Sequence, residues 1–196
     1  MKTSLSRCSL IFILLISLSH QVWSKKCGGT ERWPIKVMAD KASNQINPQP
    51  KTLTVADLIQ LPTDPVGTST PRHGVELSTY RVVCGIKEYV VEGDSDIHLV
   101  LFDLNDPTKT MVAEIPNPSC KSVDKSGRKS YYKNDRTNFL TYTTDGMFHE
   151  NGKKYSVKTG QYELIGVGFI DFPHGQLGKA PNNLEIHPVL KITKLN

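Results

Sequence analysis

Beyond its first two dozen residues the chain has no apolar run approaching the roughly 20 residues a bilayer crossing needs, so no transmembrane segment is expected there. The motifs of the common hydrolases are missing too. There is no GxSxG nucleophile elbow, no HExxH helix and no closely spaced histidine pair, and without CxxC the usual structural zinc site is excluded. Cysteine and tryptophan are scarce, at four and two residues. No internal repeat or low-complexity tract is present, which argues against a solenoid. The net charge of +5 is mild, and Lys2 and Arg7 at the extreme N-terminus supply two units of it. That balance lacks the clustered basic face that nucleic acid demands. The one basic tract, Lys121 to Lys133 (KSVDKSGRKSYYK), reads as a solvated loop.

Lys2 and Arg7 precede an apolar run from Leu10 to Leu18, and Val22-Trp23-Ser24 then ends in a small residue. This is the pattern of a secretory signal peptide over residues 1–24. Cys27 follows two lysines rather than the apolar core, so no lipid anchor is expected. Removing 24 of 196 residues leaves 172, enough for one domain with a real core. The exported chain, periplasmic or extracellular, keeps Cys27, Cys84 and Cys120, which permit one disulfide and one thiol under oxidising conditions. Cys84 falls on the same strand face as Val82 and Ile86 and is expected to be a buried thiol. Cys27 and Cys120 both lie in turn-rich segments and are the favoured pair.

Residues 25–76 mix Gly, Pro, Asn and charge, with too little apolar content for a core element before Thr52. They are expected to form an arm that wraps the domain, with Trp33 packing it down. Thr54 can cap a short helix over Val55 to Leu61, which Pro62 stops. From Leu77 the texture turns to period-two alternation, opening a β domain over 77–196. Tyr80, Val82, Cys84 and Ile86 define the inner face of a first strand that runs on through Tyr89 to Val91. Glu92 to Ser95 makes a turn, Asp96 to Asp103 a second strand, Asn105 to Thr108 another turn and Thr110 to Ile115 a third strand. Tyr131 to Tyr142 can form a helix, and Asp145-Gly146 and Asn151-Gly152 suggest a small hairpin. A fourth strand, Tyr162 to Phe172, looks buried on both faces, with Gly166 and Gly168 marking close backbone approach. In the fifth, Leu184 to Leu195, Pro188 must sit at an edge or bulge. A three-strand meander, a helix-bearing insertion and two closing strands predict a mainly β chain. Its fold is a five-stranded barrel like that of oligonucleotide/oligosaccharide-binding (OB) proteins, with the wrapping arm and one or two short helices. A β-sandwich would want more strands.

Alternation puts Asp96 and His98 on one face of the second strand and Glu185 and His187 on one face of the fifth. If the barrel mouth brings them together with the His174 loop, then His98, His174 and His187 with Glu185 or Asp96 could ligate zinc or another divalent metal. The simpler role for the same groups is to hydrogen-bond loop backbones. Tyr80, Tyr89, Phe102 and Phe169 could stack on a base or sugar, but strand aromatics are more often core.

The strings TYRVVCGIKEYVVEGDSDIHLVLFD, DPTKTMVAEIPNPSC and GVGFIDFPHGQLGKAPNNLEIHPVLKI resemble a family of exported bacterial proteins of uncharacterised function, over roughly Trp33 to Ile192. The resemblance implies an OB-like barrel and an extracytoplasmic setting. It also implies importance for the Asp96-X-His98 pair, Glu114, the His174-Gly175-Gln176 turn and Glu185-Ile186-His187-Pro188. The chain departs from that pattern at 121–142, where an Ala-rich helix is more usual. The candidate ligand-binding residues are thus Asp96, His98, Glu114, His174, Gln176, Asn183, Glu185 and His187. Two functions follow as expectations. One is an exported binding or interaction module for a protein, glycan or polyanion; the other is a metal-dependent, phosphodiesterase-like hydrolase built on the histidine and carboxylate cluster.

Overall fold

The computed structural model describes residues 27, 31–173 and 175–195; the expected signal peptide and His174 lie outside the described residues. In chain order the elements are α1 (Trp33–Lys36), β1 (Asn47–Thr52), α2 (Val55–Leu58), β2 (Ser78–Val91), β3 (Ile97–Phe102), β4 (Thr110–Ile115), α3 (Lys129–Leu140), β5 (Tyr162–Ile170) and β6 (Leu184–Lys194). Short 3-10 turns occupy Lys41–Gln45, Gly74–Leu77 and Lys121–Ser126. Among the described residues no helix is long and apolar enough to cross a membrane.

Strands β2, β3, β4, β6 and β5 follow one another around a closed barrel, with β5 returning to β2; β1 lies outside, parallel to β2. Only β4 and β6 pair in parallel within the barrel. Closure depends on the length of β2. Its first half, Thr79 to Cys84, pairs with β5, and its second half, Gly85 to Val91, pairs with β3. The ladder slips by one residue between Ile86 and Glu88, so Lys87 is bulged. A bulge shifts the side-chain alternation. This is why the inward residues are Tyr80, Val82, Cys84 and Ile86 before it but Tyr89 and Val91 after it, all of them buried.

The interior is filled by Ile97, Leu99 and Leu101 of β3, Met111, Ala113 and Ile115 of β4, Leu164 of β5 and Ile186, Val189 and Ile192 of β6. Phe139 of α3 joins them, edge-on to Tyr89 at 5.4 Å between centroids and stacked on Phe148. Val55 and Leu58 of α2 also enter this core. That helix starts at a capping box in which the Thr54 hydroxyl accepts from the Asp57 amide at 3.0 Å and the Asp57 carboxylate accepts from the Thr54 amide. Gly166 and Gly168 are required by close approach, since a Cβ on either would lie 2.6 Å from a backbone oxygen, that of Pro188 or Val75.

Three expectations need correction. The arm is not poor in core residues: Trp33, Val37, Cys120, Val123 and Tyr132 form one buried cluster, and Met38, Ile46 and Val167 another, on the outside of the barrel. Here Trp33 donates to the Ser122 hydroxyl at 2.6 Å, Tyr132 donates to the Val37 carbonyl at 2.9 Å, and Cys27 is bonded to Cys120. Second, residues 47–52 are a strand. Their two prolines and lone asparagine hide it from a propensity reading, and Pro is tolerated because β1 is an outer strand with one unpaired edge. Third, no hairpin forms at 145–152. That segment is a loop fixed by isolated pairings of Tyr89 with Tyr155 and Thr143 with Val157.

Candidate functional site

The side chains that alternate with the core residues on β3, β4 and β6 point to the outside of the barrel, and there the chain places its acids and histidines. His98 of β3 is directly opposite Glu114 of β4. The parallel pairing of Val112 with Glu185 sets β6 beside them. An extra β6 residue falls between the Ile186 and Val189 pairings, bulging the strand at His187-Pro188. The β2–β3 turn adds Glu92 and Asp96, the latter anchored where its Oδ1 accepts from the Asn117 amide at 2.8 Å.

The expected placement at the barrel mouth is therefore corrected: the cluster lies on the outer wall and is roofed over. From the arm, Lys36 of α1 reaches Asp171 at 4.0 Å and sits over the Phe169 ring, which meets His187 edge-on at 5.6 Å. From the β5–β6 loop, the Leu177 carbonyl accepts from His98 Nε2 at 3.0 Å. Gly178, at φ +75°, is packed so tightly on Val100 that a Cβ there would lie 2.5 Å from it. Under this roof Asp96 and His187 are fully buried and Glu114, Glu185 and His98 almost so.

His187 Nδ1 is 3.1 Å from Glu114 Oε2 and 3.9 Å from Glu185 Oε2, and its Nε2 is 3.7 Å from Asp96 Oδ2. His98 Nδ1 is 3.3 Å from both Glu114 Oε1 and Glu92 Oε1. Burial opposes charge on both rings. The carboxylates outweigh it, Glu114 first for each, and hold His98 and His187 up at about 9. For Glu114 burial is likewise overcome, by the His187 charge and the His98 hydrogen bond, so it stays ionised well below the usual range. Burial raises Asp96 to about 6 against the pull of His187, raises Glu92 to about 7 with help from Glu114, and raises Glu185. For Lys36 burial works against the charge, but Glu114, Glu185 and Asp171 more than offset it and raise its pKa.

Of the sequence candidates, Asp96, His98, Glu114, Glu185 and His187 thus form one cluster. Gln176 touches its edge, with Nε2 3.4 Å from His98 Nδ1 and 3.5 Å from Glu114 Oε1. Asn183 is not part of it: at φ +58° it shapes the loop, its carbonyl accepting from the Asp171 amide at 3.0 Å. Glu92 and Lys36 went unrecognised in the sequence. The first sits in a turn of ordinary composition, and the second comes from the arm with no sequence neighbour in the site. Outside the cluster, the aromatic, thiol and arginine side chains of the barrel have structural roles. Tyr80, Tyr89 and Phe169 are buried, and the Cys84 thiol is buried with its pKa pushed up by desolvation, unlike a nucleophile. Arg81 pairs with Glu163, and Arg136 donates to the Ser95 and Ile115 carbonyls.

Two triads, Asp96-Glu114-His187 and Glu92-His98-Glu114, each bring one ligand atom per residue within 4.8 Å of the others, with Glu114 common to both. Fold and site together define a mainly β barrel protein with a roofed histidine and carboxylate cluster on its outer wall. The chain matches no known protein-family model, no curated protein and no solved structure.

Proposed function

We propose that this protein is an exported OB-like binding module that takes a neutral or cationic ligand at the rim of the roofed outer face of β3 and β4, where Glu92 and Gln176 stand at its edge. The observation that carries this reading is the location of the cluster. Numbered within the barrel alone, the strands run 1-2-3-5-4, with a helix after the third, as in OB folds. In those folds ligands lie on the face of the second and third strands between the loops after the first and fourth. Those loops here are the β2–β3 turn, bearing Glu92 and Asp96, and the β5–β6 loop, bearing Gln176. The rim is acidic, with Glu92 side chain 37 % exposed, so a polyanion is disfavoured. A hydrolase reading is weakened by the roof, because catalysis needs a ligand position open to substrate. Export is supported by the leader pattern of residues 1–24 and by a disulfide that suits an oxidising compartment.

Residues 25–196, immobilised and probed by interferometry with neutral oligosaccharides, Lys/Arg-rich peptides and a single-stranded DNA dodecamer, test this. The expected result is binding to one of the first two classes and none to DNA. Glu92→Gln or Gln176→Ala should weaken binding about tenfold, the worth of one good polar contact. Preference for DNA, or silence on all three, overturns the reading.

A further inference from the structure

We propose that Asp96, Glu114 and His187, with Glu185 beside them, form a resident site for one divalent transition-metal ion. This goes beyond the binding-module reading and does not depend on it.

The first observation is convergence. One atom from each of Asp96, Glu114 and His187 lies within 4.8 Å of the others, and all three residues are 0–1 % exposed. Ligands at about 2.0–2.2 Å from a tetrahedral ion stand roughly 3.4 Å apart. The His187 contacts with Glu114 and Glu185, at 3.1 and 3.9 Å, bracket that edge.

The second observation is independent of the first. Both ring nitrogens of His187, Asp96 Oδ2, Glu114 Oε2 and both oxygens of Glu185 are buried and have no hydrogen-bond partner among the described residues. A buried polar atom without a partner is costly, and the carboxylate oxygens with one ring nitrogen of His187 would gain a shared partner in a single cation. An imidazolium between carboxylates would hydrogen-bond to them in line. Here the groups are close yet misaligned for that, as lone pairs are when they share a cation.

Charge supports the same conclusion. Asp96, Glu114, Glu185 and Asp171 face the cations Lys36 and Arg136, with Glu92 and His98 at the rim. With His187 neutral as a ligand, the carboxylates of Asp96, Glu114 and Glu185 outnumber the cations nearest them, Lys36 and Arg136, and a divalent ion adds positive charge where it is short. The donor set of one imidazole and two or three carboxylates suits Zn²⁺ or Mn²⁺ and falls short of the six to eight oxygens Ca²⁺ prefers. Glu92, partly exposed, and His98, oriented by the Leu177 carbonyl, lie beside Glu114 at the edge of the cluster.

The test uses residues 25–196 stripped with EDTA and desalted. Zn²⁺, Mn²⁺, Ca²⁺ and Mg²⁺ are titrated separately by calorimetry and thermal shift, with bound metal counted by mass spectrometry after desalting. Expected are one equivalent of Zn²⁺ or Mn²⁺, a raised Tm, and no comparable response to Ca²⁺ or Mg²⁺. Asp96→Asn and His187→Gln should weaken binding by about 100-fold or more, while Glu92→Gln and the surface variant His149→Ala change it only a few-fold. Near-UV circular dichroism checks that the variants fold. If wild-type protein retains no metal and shows no thermal shift, or if folded His187→Gln and Asp96→Asn bind as tightly as wild type, the site is refuted. Oligosaccharide or peptide binding by the metal-free protein would survive that outcome, so the two readings fail separately.

Discussion

Asp135 isolates the cost of one buried acid away from the candidate site. Its Oδ1 accepts from the Ile192 amide at 3.1 Å, its Oδ2 has no hydrogen-bond partner among the described residues, and burial raises its pKa to about 7. A carboxyl raised in the folded state leaves the protein most favoured below its unfolded pKa near 3.8, and stability is lost as pH rises toward 7. Asparagine keeps the acceptor and drops the charge. Asp135→Asn is therefore expected to raise stability at pH 8 by about 1–3 kcal/mol, at roughly 1.4 kcal/mol per pKa unit with a discount for partial solvation, and to leave it nearly unchanged at pH 4. Urea denaturation at the two pH values checks this. The same scale shows what a sequence can disclose about a site. Asp96 with His98 and Glu185 with His187 share faces by period two alone, so their grouping was legible. That the shared face is the outer wall was not, because it depends on which side the arm covers. Lys36 became a member only through that covering, and Glu92 only through the angle of a tight turn.

At the scale of elements, the barrel strands were readable nearly to the residue because each alternates and ends at a turn dipeptide or proline. β1 was not, since its sequence NPQPKT carries no apolar period and is held by pairing to β2. The elements outside the barrel, the arm and α3, are held by attachments that can be removed separately. The Cys27–Cys120 bond closes a span of 93 residues, and its loss through Cys27→Ser should cost about 2–4 kcal/mol. Thermal melts with and without reductant should converge for that variant, since its remaining cysteines, Cys84 and Cys120, no longer form the native bond. Phe139 is a different kind of anchor, fully buried between Tyr89 and Phe148. Phe139→Ala should destabilise by about 3–5 kcal/mol through the cavity left in the barrel core. An unfolding free energy from chemical denaturation lowered by less than half that would mean α3 is not integral to the core.

For the molecule as a whole, the roofed cluster predicts how stability depends on pH when no metal is bound. His98 and His187, both raised to about 9 from 6.5, contribute stability that is complete below pH 6.5 and lost as pH climbs through 9. Glu92 and Asp96, raised to about 7 and about 6, act in the same direction at lower pH, because the folded state binds protons the unfolded chain has released. Glu114 works the other way: its lowered pKa gives stability above about 4.5 that is lost on acidification. The metal-free protein should therefore be most stable near pH 5 and lose Tm steadily toward pH 9. A bound divalent cation displaces the protons it competes with, so saturating Zn²⁺ or Mn²⁺ should raise Tm most at pH 8 and least at pH 5, flattening the profile. Scanning calorimetry at pH 5, 6.5 and 8, with and without metal, checks both curves. A metal-free Tm that rises from pH 5 to 8 would show that the cluster is held together by something other than the protons and charges described.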